Sequence, residues 1–195
     1  MKTKKILVST RNKGKLKEIF LILGSAGSEF ISLDDLENFP EIEETGTSFE
    51  ENAILKAVES FKLTGLPVVA DDSGLSIECL GGAPGVFSAR YSGENANDES
   101  NINKVLGEIS VFAPPYKAKY VCVIAFYDGN KLLTTSGECH GEIITERRGD
   151  NGFGYDPVFI PDGFSKTMAE LDPEVKNKLS HRFKALEKMK ELLQL

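Results

Sequence analysis

A long hairpin pattern near the middle of the sequence constrains the fold more than any other feature. The stretch KAKYVCVIAFYDGNKLLTTSGECHGEI, residues 117–143, holds two runs of strand-forming residues around an Asp-Gly pair. Asp-Gly between such runs is typical of a tight hairpin turn, because both residues tolerate its unusual backbone angles. The sequence therefore predicts two long paired strands, and every other element must extend or cover them.

Helical periodicity and short apolar runs alternate on both sides of this hairpin. ILV at 6–8 and LPVVA at 66–70 are typical of buried strands, the second ending at Asp71-Asp72. Apolar residues at helical spacing predict four helices. Their apolar faces are Leu16, Ile19, Phe20 and Leu23; Ile54, Ala57, Val58 and Phe61; Ile102, Val105, Leu106 and Ile109; and Phe183, Leu186 and Leu193.

Local signals predict where several helices begin and end. Ser48 and Glu51 have the spacing of a capping box, and Gly65 is a favourable helix stop. Asp172-Pro173 predicts a short helix, and the last helix is expected to begin near Ser180. The Gly-rich stretch at 146–164 is expected to be irregular. The pattern predicts an α/β fold on a mixed sheet, with residues 1–195 forming a single domain.

Composition excludes several classes of protein. The chain has 195 residues and a formal net charge of −7, which disfavours a general nucleic-acid binder because phosphate neutralisation needs excess basic charge. No segment approaches the roughly 20 apolar residues of a membrane span. The three cysteines form no C-x-x-C pair, so we expect buried thiols rather than zinc. We expect a cytoplasmic protein with no membrane or nucleic-acid partner.

The start of the first predicted helix carries an unusual concentration of cations. Arg11, Lys13, Lys15 and Lys17 lie where the helix dipole already places partial positive charge. A solvated basic face is one interpretation. The other is a phosphate site, because the carboxyl end of a strand followed by a helix N-terminus is a common anion-binding position.

Three further motifs carry polar groups suited to chemistry. In VVADDSGL, Asp71 and Asp72 form either a turn or a site for a hard cation such as Mg²⁺, and their side chains should point to opposite faces of a strand. In GFGYDP, glycines flank aromatic residues that could stack on a base, although the composition also fits a plain turn. In LSHRF, His181 and Arg182 follow Ser180, which is either a structural cap or part of a ligand site.

These motifs together resemble those of the inosine triphosphate pyrophosphatase family, the XTP/dITP diphosphatases. The matching segments are STRNKGK, FEENAILKA, ADDSGL, LGGAPGVFSARYSG, GFGYDPVFIPDG and SHR, in the order of the family and across nearly the whole chain. The resemblance implies an elongated mixed β-sheet with flanking helices, two lobes around a central cleft, and a homodimer.

The resemblance also implies roles for individual residues. The metal ligands for Mg²⁺ would be Glu44, with Glu41 and Glu43 in the same acidic run, and Asp72, which would also be the catalytic proton acceptor. The substrate-binding residues would be Thr10, Arg11, Asn12, Lys13, Gly14, Lys15, Lys56, Ser73, Phe153, Gly154, Tyr155, Asp156, Lys176, His181 and Arg182, with Lys178 close to Lys176.

The activity implied by the resemblance is hydrolysis of noncanonical purine nucleoside triphosphates to the monophosphate and pyrophosphate. Water would attack the α-phosphorus, and ITP, dITP and XTP would be the substrates. Two alternatives are a Maf-like pyrophosphatase acting on other modified nucleotides and a nucleotide-binding regulator without turnover. The SHR and GFGYDP motifs argue against the first, and the presence of Asp72 with its lysines argues against the second.

Overall fold

A six-stranded mixed β-sheet with helices on its faces forms the framework of the protein. The computed structural model describes residues 5–24 and 29–194. The strands are β1 (Lys5–Ser9), β2 (Glu29–Ser32), β3 (Val68–Ile77), β4 (Tyr116–Tyr127), β5 (Leu132–Ile143) and β6 (Phe159–Pro161). The helices are α1 (Lys13–Leu23), α2 (Phe49–Thr64), α3 (Asp98–Ile109), α4 (Pro173–Leu179) and α5 (His181–Leu193).

The strand order is β2-β1-β3-β4-β5-β6. β1 is parallel to both β2 and β3, whereas β5 and β6 are antiparallel. β4 and β5 are neighbours joined through the Asp-Gly turn, as the sequence predicts. The predicted α/β fold on a mixed sheet is confirmed.

The chain divides into two compact units. The first comprises Met1–Asp72, Cys122–Gly137 and Arg182–Leu195, and the second comprises Ser73–Val121 and Glu138–His181. We call them unit 1 and unit 2 and describe each by itself.

Unit 1 has hydrophobic packing on both faces of its strands. Ile6 and Val8 of β1 pack with α1 and α5, whereas Leu7 between them packs with α2. Successive strand residues point to opposite faces, so both sides of β1 are covered by helices. This explains why ILV is continuously apolar rather than alternating.

Unit 2 has one hydrophobic cluster beneath α3. Ile102, Val105 and Ile109 of this helix are buried against the parts of β3, β4 and β5 that belong to unit 2. Tyr120 of β4 and Phe159 of β6 belong to the same cluster, with ring centroids 4.7 Å apart. The cluster therefore packs against the polar loop that follows β5.

Several helix boundaries follow the sequence prediction. Gly65 ends α2 with φ 67°, and Asp172 caps α4 with Pro173 at its first position. The Ser48 hydroxyl accepts the Glu51 N–H, but the Glu51 carboxylate accepts from the N–H and hydroxyl of Thr47. The Ser48 half of the predicted capping box is confirmed, and the Glu51 carboxylate bonds mainly to Thr47, one residue before the predicted partner.

Other predictions need correction. β3 does not end at Asp71-Asp72 but continues to Ile77. The 146–164 stretch contains a short helical turn at Asp156–Val158 and the strand β6. In α5 the buried face is Arg182, Ala185, Leu186 and Met189, and Phe183 is only partly buried.

Two further findings concern the cysteines and the expected absence of a membrane span. Cys79, Cys122 and Cys139 are free thiols, and the last two are buried. Among residues 5–24 and 29–194, no helix has the length and apolar character required to cross a membrane.

Candidate active site

The first helix begins at a cap that leaves its lysines available for other contacts. The Asn12 side chain accepts the Lys15 N–H at 3.0 Å, and the Thr10 hydroxyl accepts the Asn12 N–H at 3.3 Å. An uncharged cap satisfies a backbone donor without adding a carboxylate at the helix start. The positive charge at the start of α1 is therefore balanced by a carboxylate from another element.

The carboxylate that balances this charge belongs to Asp71, which is completely buried in β3. Its Oδ2 lies 3.1 Å from Lys15 Nζ and 3.4 Å from Arg182 Nε. The Arg182 guanidinium also donates through Nη1 to the carboxylate of Glu18. Lys15, Asp71, Arg182 and Glu18 thus form an alternating chain of charges inside unit 1, which we call the Asp71 network.

Asp72 lies on the opposite side of the strand, as the alternation in VVADDSGL predicts. Its Oδ2 accepts from Asn52 Nδ2 of α2 at 3.0 Å. The Asn52 amide oxygen accepts the N–H of Gly46 at 2.8 Å. One buried asparagine therefore links β3 to the acidic segment that precedes α2.

Lys56 brings a second carboxylate close to Asp72. Its Nζ lies 2.6 Å from Glu44 Oε1 and 3.9 Å from Asp72 Oδ1. The Lys56 side chain is only 12% exposed, so its ammonium group is largely withdrawn from water. A single cation thus sits against two carboxylates, and we call Glu44, Lys56 and Asp72 the Asp72 cluster.

The two adjacent aspartates have opposite electrostatic properties. Burial raises the pKa of Asp71, but the charges of Lys15, Arg182 and Lys56 outweigh it and lower that pKa well below its ordinary value. For Asp72, burial dominates and raises the pKa, with Glu44 adding to the shift and Lys56 opposing it. Asp71 is therefore a fixed anion, whereas Asp72 has greater affinity for a proton or another cation.

Lys56 remains charged despite its burial. Desolvation lowers its pKa, but Asp71, Asp72 and Glu44 together raise it above the ordinary lysine value. A buried ammonium held by carboxylates keeps a positive charge ready for an anionic ligand.

The remaining residues of the predicted phosphate segment lie nearer the surface. Arg11 and Lys13 are exposed, and Gly14 is partly buried. Arg11 donates through Nη2 to the carbonyl of Phe39 at 2.6 Å. These groups are accessible to a ligand, whereas Lys15 is paired with Asp71, and Lys56 is paired with Glu44 and Asp72.

In unit 2, GFGYDP forms a tight loop around the carboxylate of Asp156. Asp156 Oδ2 accepts from Lys176 Nζ at 2.6 Å and from the Phe153 N–H at 3.0 Å. Gly152 has φ +87°, and a Cβ there would overlap Asp156 Oδ2 and lie 2.6 Å from Lys176 Nζ. The close approach of the backbone to this ion pair therefore requires glycine.

Two further contacts anchor the same loop. The Gly154 N–H donates to Asp98 Oδ2 at 2.7 Å, and the Tyr155 hydroxyl donates to the Ser88 carbonyl at 2.9 Å. The Tyr155 ring belongs to the buried cluster of unit 2, so it supports the loop from below. Phe153 is only partly buried, and Lys176 Nζ lies 5.4 Å from its ring centroid.

The predicted SHR motif contributes to different units. His181 stacks on Tyr120 in unit 2, with ring centroids 4.9 Å apart and an interplanar angle of 10°. Arg182 is 1% exposed and belongs to the Asp71 network of unit 1. Ser73, at the first position of unit 2, is partly buried.

The donor chemistry near Asp72 fits a hard cation. Carboxylate oxygens are the preferred protein ligands of Mg²⁺, and such sites use one or two of them together with substrate phosphates. The Lys56 ammonium already places positive charge against Glu44 and Asp72. In the described part of the chain, no group of three or more His, Cys, Asp or Glu residues has the geometry of a metal site.

Sequence reasoning missed several residues of these clusters. Asn52 and Glu18 were not identified, and neither was Tyr120. The predicted apolar face of α2 conceals Asn52, because the buried face is Asn52, Ala53, Ala57 and Ser60, and of the predicted face only Ala57 is fully buried. A tyrosine within an apolar strand is the signal for Tyr120. Nothing local distinguishes Glu18, because its partner Arg182 is 164 positions away in the sequence.

Comparisons with known proteins agree with this architecture. Residues 6–192 match the family model described as the Ham1 family. The chain is 50% identical to a dITP/XTP pyrophosphatase of Geobacter sulfurreducens over 97% of this chain and 96% of that protein. It is 49% identical to a dITP/XTP pyrophosphatase of Oceanobacillus iheyensis, over 97% and 98%. A solved HAM1 protein structure from Coxiella burnetii superposes with a TM-score of 0.91 at 44% identity, covering 98% of this chain and 99% of that one.

Proposed function

The chain belongs to the Ham1 family, and from this premise we propose that it hydrolyses ITP, dITP and XTP to the monophosphate and pyrophosphate. The observation that carries the proposal is the pairing of two partly buried lysines with carboxylates in unit 1. Lys15 is held by Asp71, and Lys56 is held by Glu44 and Asp72. This combination suits a ligand that brings both phosphates and a divalent cation.

The triphosphate is proposed to bind at the start of α1 and at Lys56. Lys15 and Lys56 supply fixed positive charge, and Arg11 and Lys13 supply accessible positive charge nearby. Thr10, Asn12 and the backbone of Gly14 add hydrogen-bonding groups at the same helix terminus. Preorganised cations stabilise the charge that develops on transferring phosphoryl groups, which is the main task in this chemistry.

Mg²⁺ is proposed to be held by Glu44 and Asp72. When bound, the ion would neutralise negative charge on the phosphates of the substrate. The raised pKa of Asp72 supports this assignment, because a carboxylate that is costly to bury in its charged form benefits from a cation. The same carboxylate is proposed to orient the attacking water and accept its proton, with attack directed at the α-phosphorus.

Base recognition is proposed for the loop of unit 2. Phe153 offers a partly exposed ring for stacking, and Lys176 and His181 offer donors. Inosine and xanthosine carry a 6-oxo group where adenosine has an amino group, so donors at that edge favour the oxo form. A buried mismatch of this kind costs on the order of 1–3 kcal/mol. Guanine shares the 6-oxo group, so its rejection must depend on the 2-amino position.

Five other sequence assignments are retained as proposals. Gly154, Tyr155 and Asp156 belong to the base-binding loop, where Asp156 is engaged by Lys176. Ser73 is proposed to contact substrate. Base reading by Arg182 also stays a prediction, since its guanidinium is engaged by Asp71 and Glu18.

The experiment is a pyrophosphate-release assay with ITP, dITP, XTP, ATP and GTP, each with and without Mg²⁺. The proposal expects pyrophosphate from the first three in the presence of Mg²⁺, at least tenfold faster than from ATP or GTP at equal concentration. A tenfold ratio corresponds to about 1.4 kcal/mol. Equal rates for all five nucleotides would refute the proposed selectivity for noncanonical purines. Nucleotide binding without turnover would favour the alternative of a nucleotide-binding regulator.

Three assignments concern the whole chain. We propose that residues 1–195 act as one domain, that the protein is a homodimer, and that it functions in the cytoplasm on the nucleotide pool. Light scattering tests the second: a homodimer has twice the chain mass of 21.4 kDa. A mass of one chain at micromolar concentration would contradict it.

A further inference from the structure

Tyr120 is a buried tyrosine on β4 that contacts two residues of the proposed base-binding set. It is 7% exposed, and it lies in the hydrophobic cluster of unit 2. Its hydroxyl donates to Asp156 Oδ1 at 3.3 Å, and its ring stacks on the imidazole of His181. One side chain in a strand thus supports both a carboxylate and an imidazole that belong to other elements.

The contacts of Asp156 explain why this hydroxyl matters. Lys176 Nζ and the Phe153 N–H both donate to Oδ2, whereas Tyr120 donates to Oδ1. A carboxylate held through one oxygen can still rotate about its Cβ–Cγ bond. A donor on the second oxygen opposes this rotation and fixes the plane of the group.

The ring of Tyr120 has an equivalent effect on His181. The two rings are nearly parallel, at 10°, and their centroids lie 4.9 Å apart. The Tyr120 ring is itself held by Phe159, at 4.7 Å and an angle of 52°. The imidazole therefore lies on a platform that is part of the core rather than of a loop.

We propose that Tyr120 is a positioning residue for purine selection, which fixes the Asp156 carboxylate through its hydroxyl and the His181 imidazole through its ring. This inference rests on the proposed function, because it assigns base recognition to the loop of unit 2. Tyr120 lies in unit 2, whereas the proposed phosphate and metal residues lie in unit 1. We therefore expect its effect to be specific to ligands that carry a base.

The test is Tyr120→Phe, which removes the hydroxyl and keeps the ring. The inference expects KM for dITP to rise about tenfold, with kcat changed by less than about twofold. The ratio of kcat/KM between dITP and dATP should fall. Inhibition by inorganic tripolyphosphate, which has no base, should be unchanged.

A matched control is available on the same strand. The Tyr116 hydroxyl donates to the carbonyl of Phe112 at 3.3 Å, and Phe112 is not among the proposed site residues. Tyr116→Phe should keep the KM, the kcat and the dITP/dATP ratio of the wild type. A second variant, Tyr120→Leu, also removes the ring and should raise KM further than Tyr120→Phe does.

The inference is supported only if Tyr120→Phe weakens the binding of dITP, which carries a base, and leaves inhibition by tripolyphosphate, which has none, unchanged. A wild-type KM and ratio in Tyr120→Phe would overturn it, and so would a fall in kcat alone. Equal weakening of dITP and tripolyphosphate, or loss of folding, would show that Tyr120 is merely structural and would also overturn it. Absence of dITP hydrolysis in the wild-type protein would instead refute the proposed function.

Discussion

At the scale of single residues, Asp71 and Asp72 show how two neighbouring carboxylates acquire different electrostatic properties. Asp71 is neutralised by Lys15 and Arg182, so its charge is balanced within the protein. Asp72 is buried beside Glu44, with Lys56 as the shared cation. The first is therefore a fixed anion, whereas the second is suited to a cation and to accepting a proton.

Asp72→Asn tests the proposed catalytic role. The amide retains an oxygen that can accept from Asn52 but has no charge and cannot accept a proton at neutral pH. We expect kcat for ITP hydrolysis to fall by more than tenfold, which is about 1.4 kcal/mol or more. Asp34→Asn, an exposed aspartate of unit 1, is the control and should retain wild-type turnover. A kcat of Asp72→Asn within tenfold of wild type would exclude a central role.

Arg182→Ala tests the Asp71 network. The change removes one partner of a buried ion pair and leaves the charges of Asp71 and Glu18 less balanced. Breaking such a pair typically costs about 3–5 kcal/mol, so we expect a loss of that size in urea unfolding at pH 7. Lys188→Ala is the control, because this exposed lysine of α5 donates to the Ser136 carbonyl; its effect should be within about 0.5 kcal/mol.

The same variant separates a structural role of Arg182 from base reading. If the guanidinium also reads the purine edge, the ITP/ATP ratio of kcat/KM should narrow in Arg182→Ala. An unchanged ratio in a folded variant would remove Arg182 from the discrimination. A decrease of less than about 1 kcal/mol in the unfolding free energy of Arg182→Ala would instead contradict a stabilising role of Arg182 in the Asp71 network.

Tyr91 provides a pH-dependent prediction outside the site. Burial and the hydrogen bond to Glu108 raise the pKa of Tyr91 to about 12, against 10.0 ordinarily. The hydrogen-bond contribution is present below pH 10 and is lost as pH rises towards 12, because the unfolded phenol ionises first. The unfolding free energy of wild type relative to Tyr91→Phe should therefore decrease between pH 10 and 12. A constant difference across this window would contradict the shifted pKa.

The sequence predicted the directions of Asp71 and Asp72, but it did not predict which residues they pair with. The opposite directions of Asp71 and Asp72 follow from strand alternation and are confirmed. That Lys15 pairs with Asp71, and Arg182 with Asp71 and Glu18, depends on residues far apart in the chain. Such pairings are set by the tertiary fold, which no local pattern encodes.

At the scale of elements, β3 illustrates how tertiary contacts extend a strand. Two adjacent aspartates are unfavourable in a strand, so the sequence predicts an end at that point. The strand continues because Lys15 and Arg182 neutralise one side chain and Asn52 and Lys56 engage the other. β2 and β6, with four and three residues, are too short for a periodicity signal.

Gly152→Ala tests the packing of the base-binding loop. A methyl group at Gly152 would displace the Asp156 carboxylate and Lys176, and φ +87° is also unfavourable for alanine. We expect a rise in KM for dITP of about tenfold, or 1.4 kcal/mol, with tripolyphosphate inhibition unchanged.

Gly163→Ala is the matched control for this variant. Gly163 has a similar φ of +84°, but a Cβ there meets no atom within 4 Å. It carries the backbone strain without the collision, so its KM should match the wild type. A similar KM in both variants would contradict the argument that Gly152 makes room for the ion pair.

At the scale of the whole molecule, charge distribution matters more than net charge. The chain is acidic, with a formal charge of −7, yet its proposed phosphate residues include three lysines and an arginine. The carboxylates of Asp71 and Glu44 hold Lys15 and Lys56 in place. The acidic excess disfavours long polyanions, whereas local cations can still bind one nucleotide.

The proposed reaction is the attack of water on the α-phosphorus of a deaminated purine nucleoside triphosphate. Hydrolysis of dITP in water enriched with oxygen-18 tests it directly, with products analysed by mass spectrometry. We expect one labelled oxygen in deoxyinosine monophosphate and none in pyrophosphate. Label in pyrophosphate, or release of orthophosphate with the diphosphate, would contradict attack at the α-phosphorus.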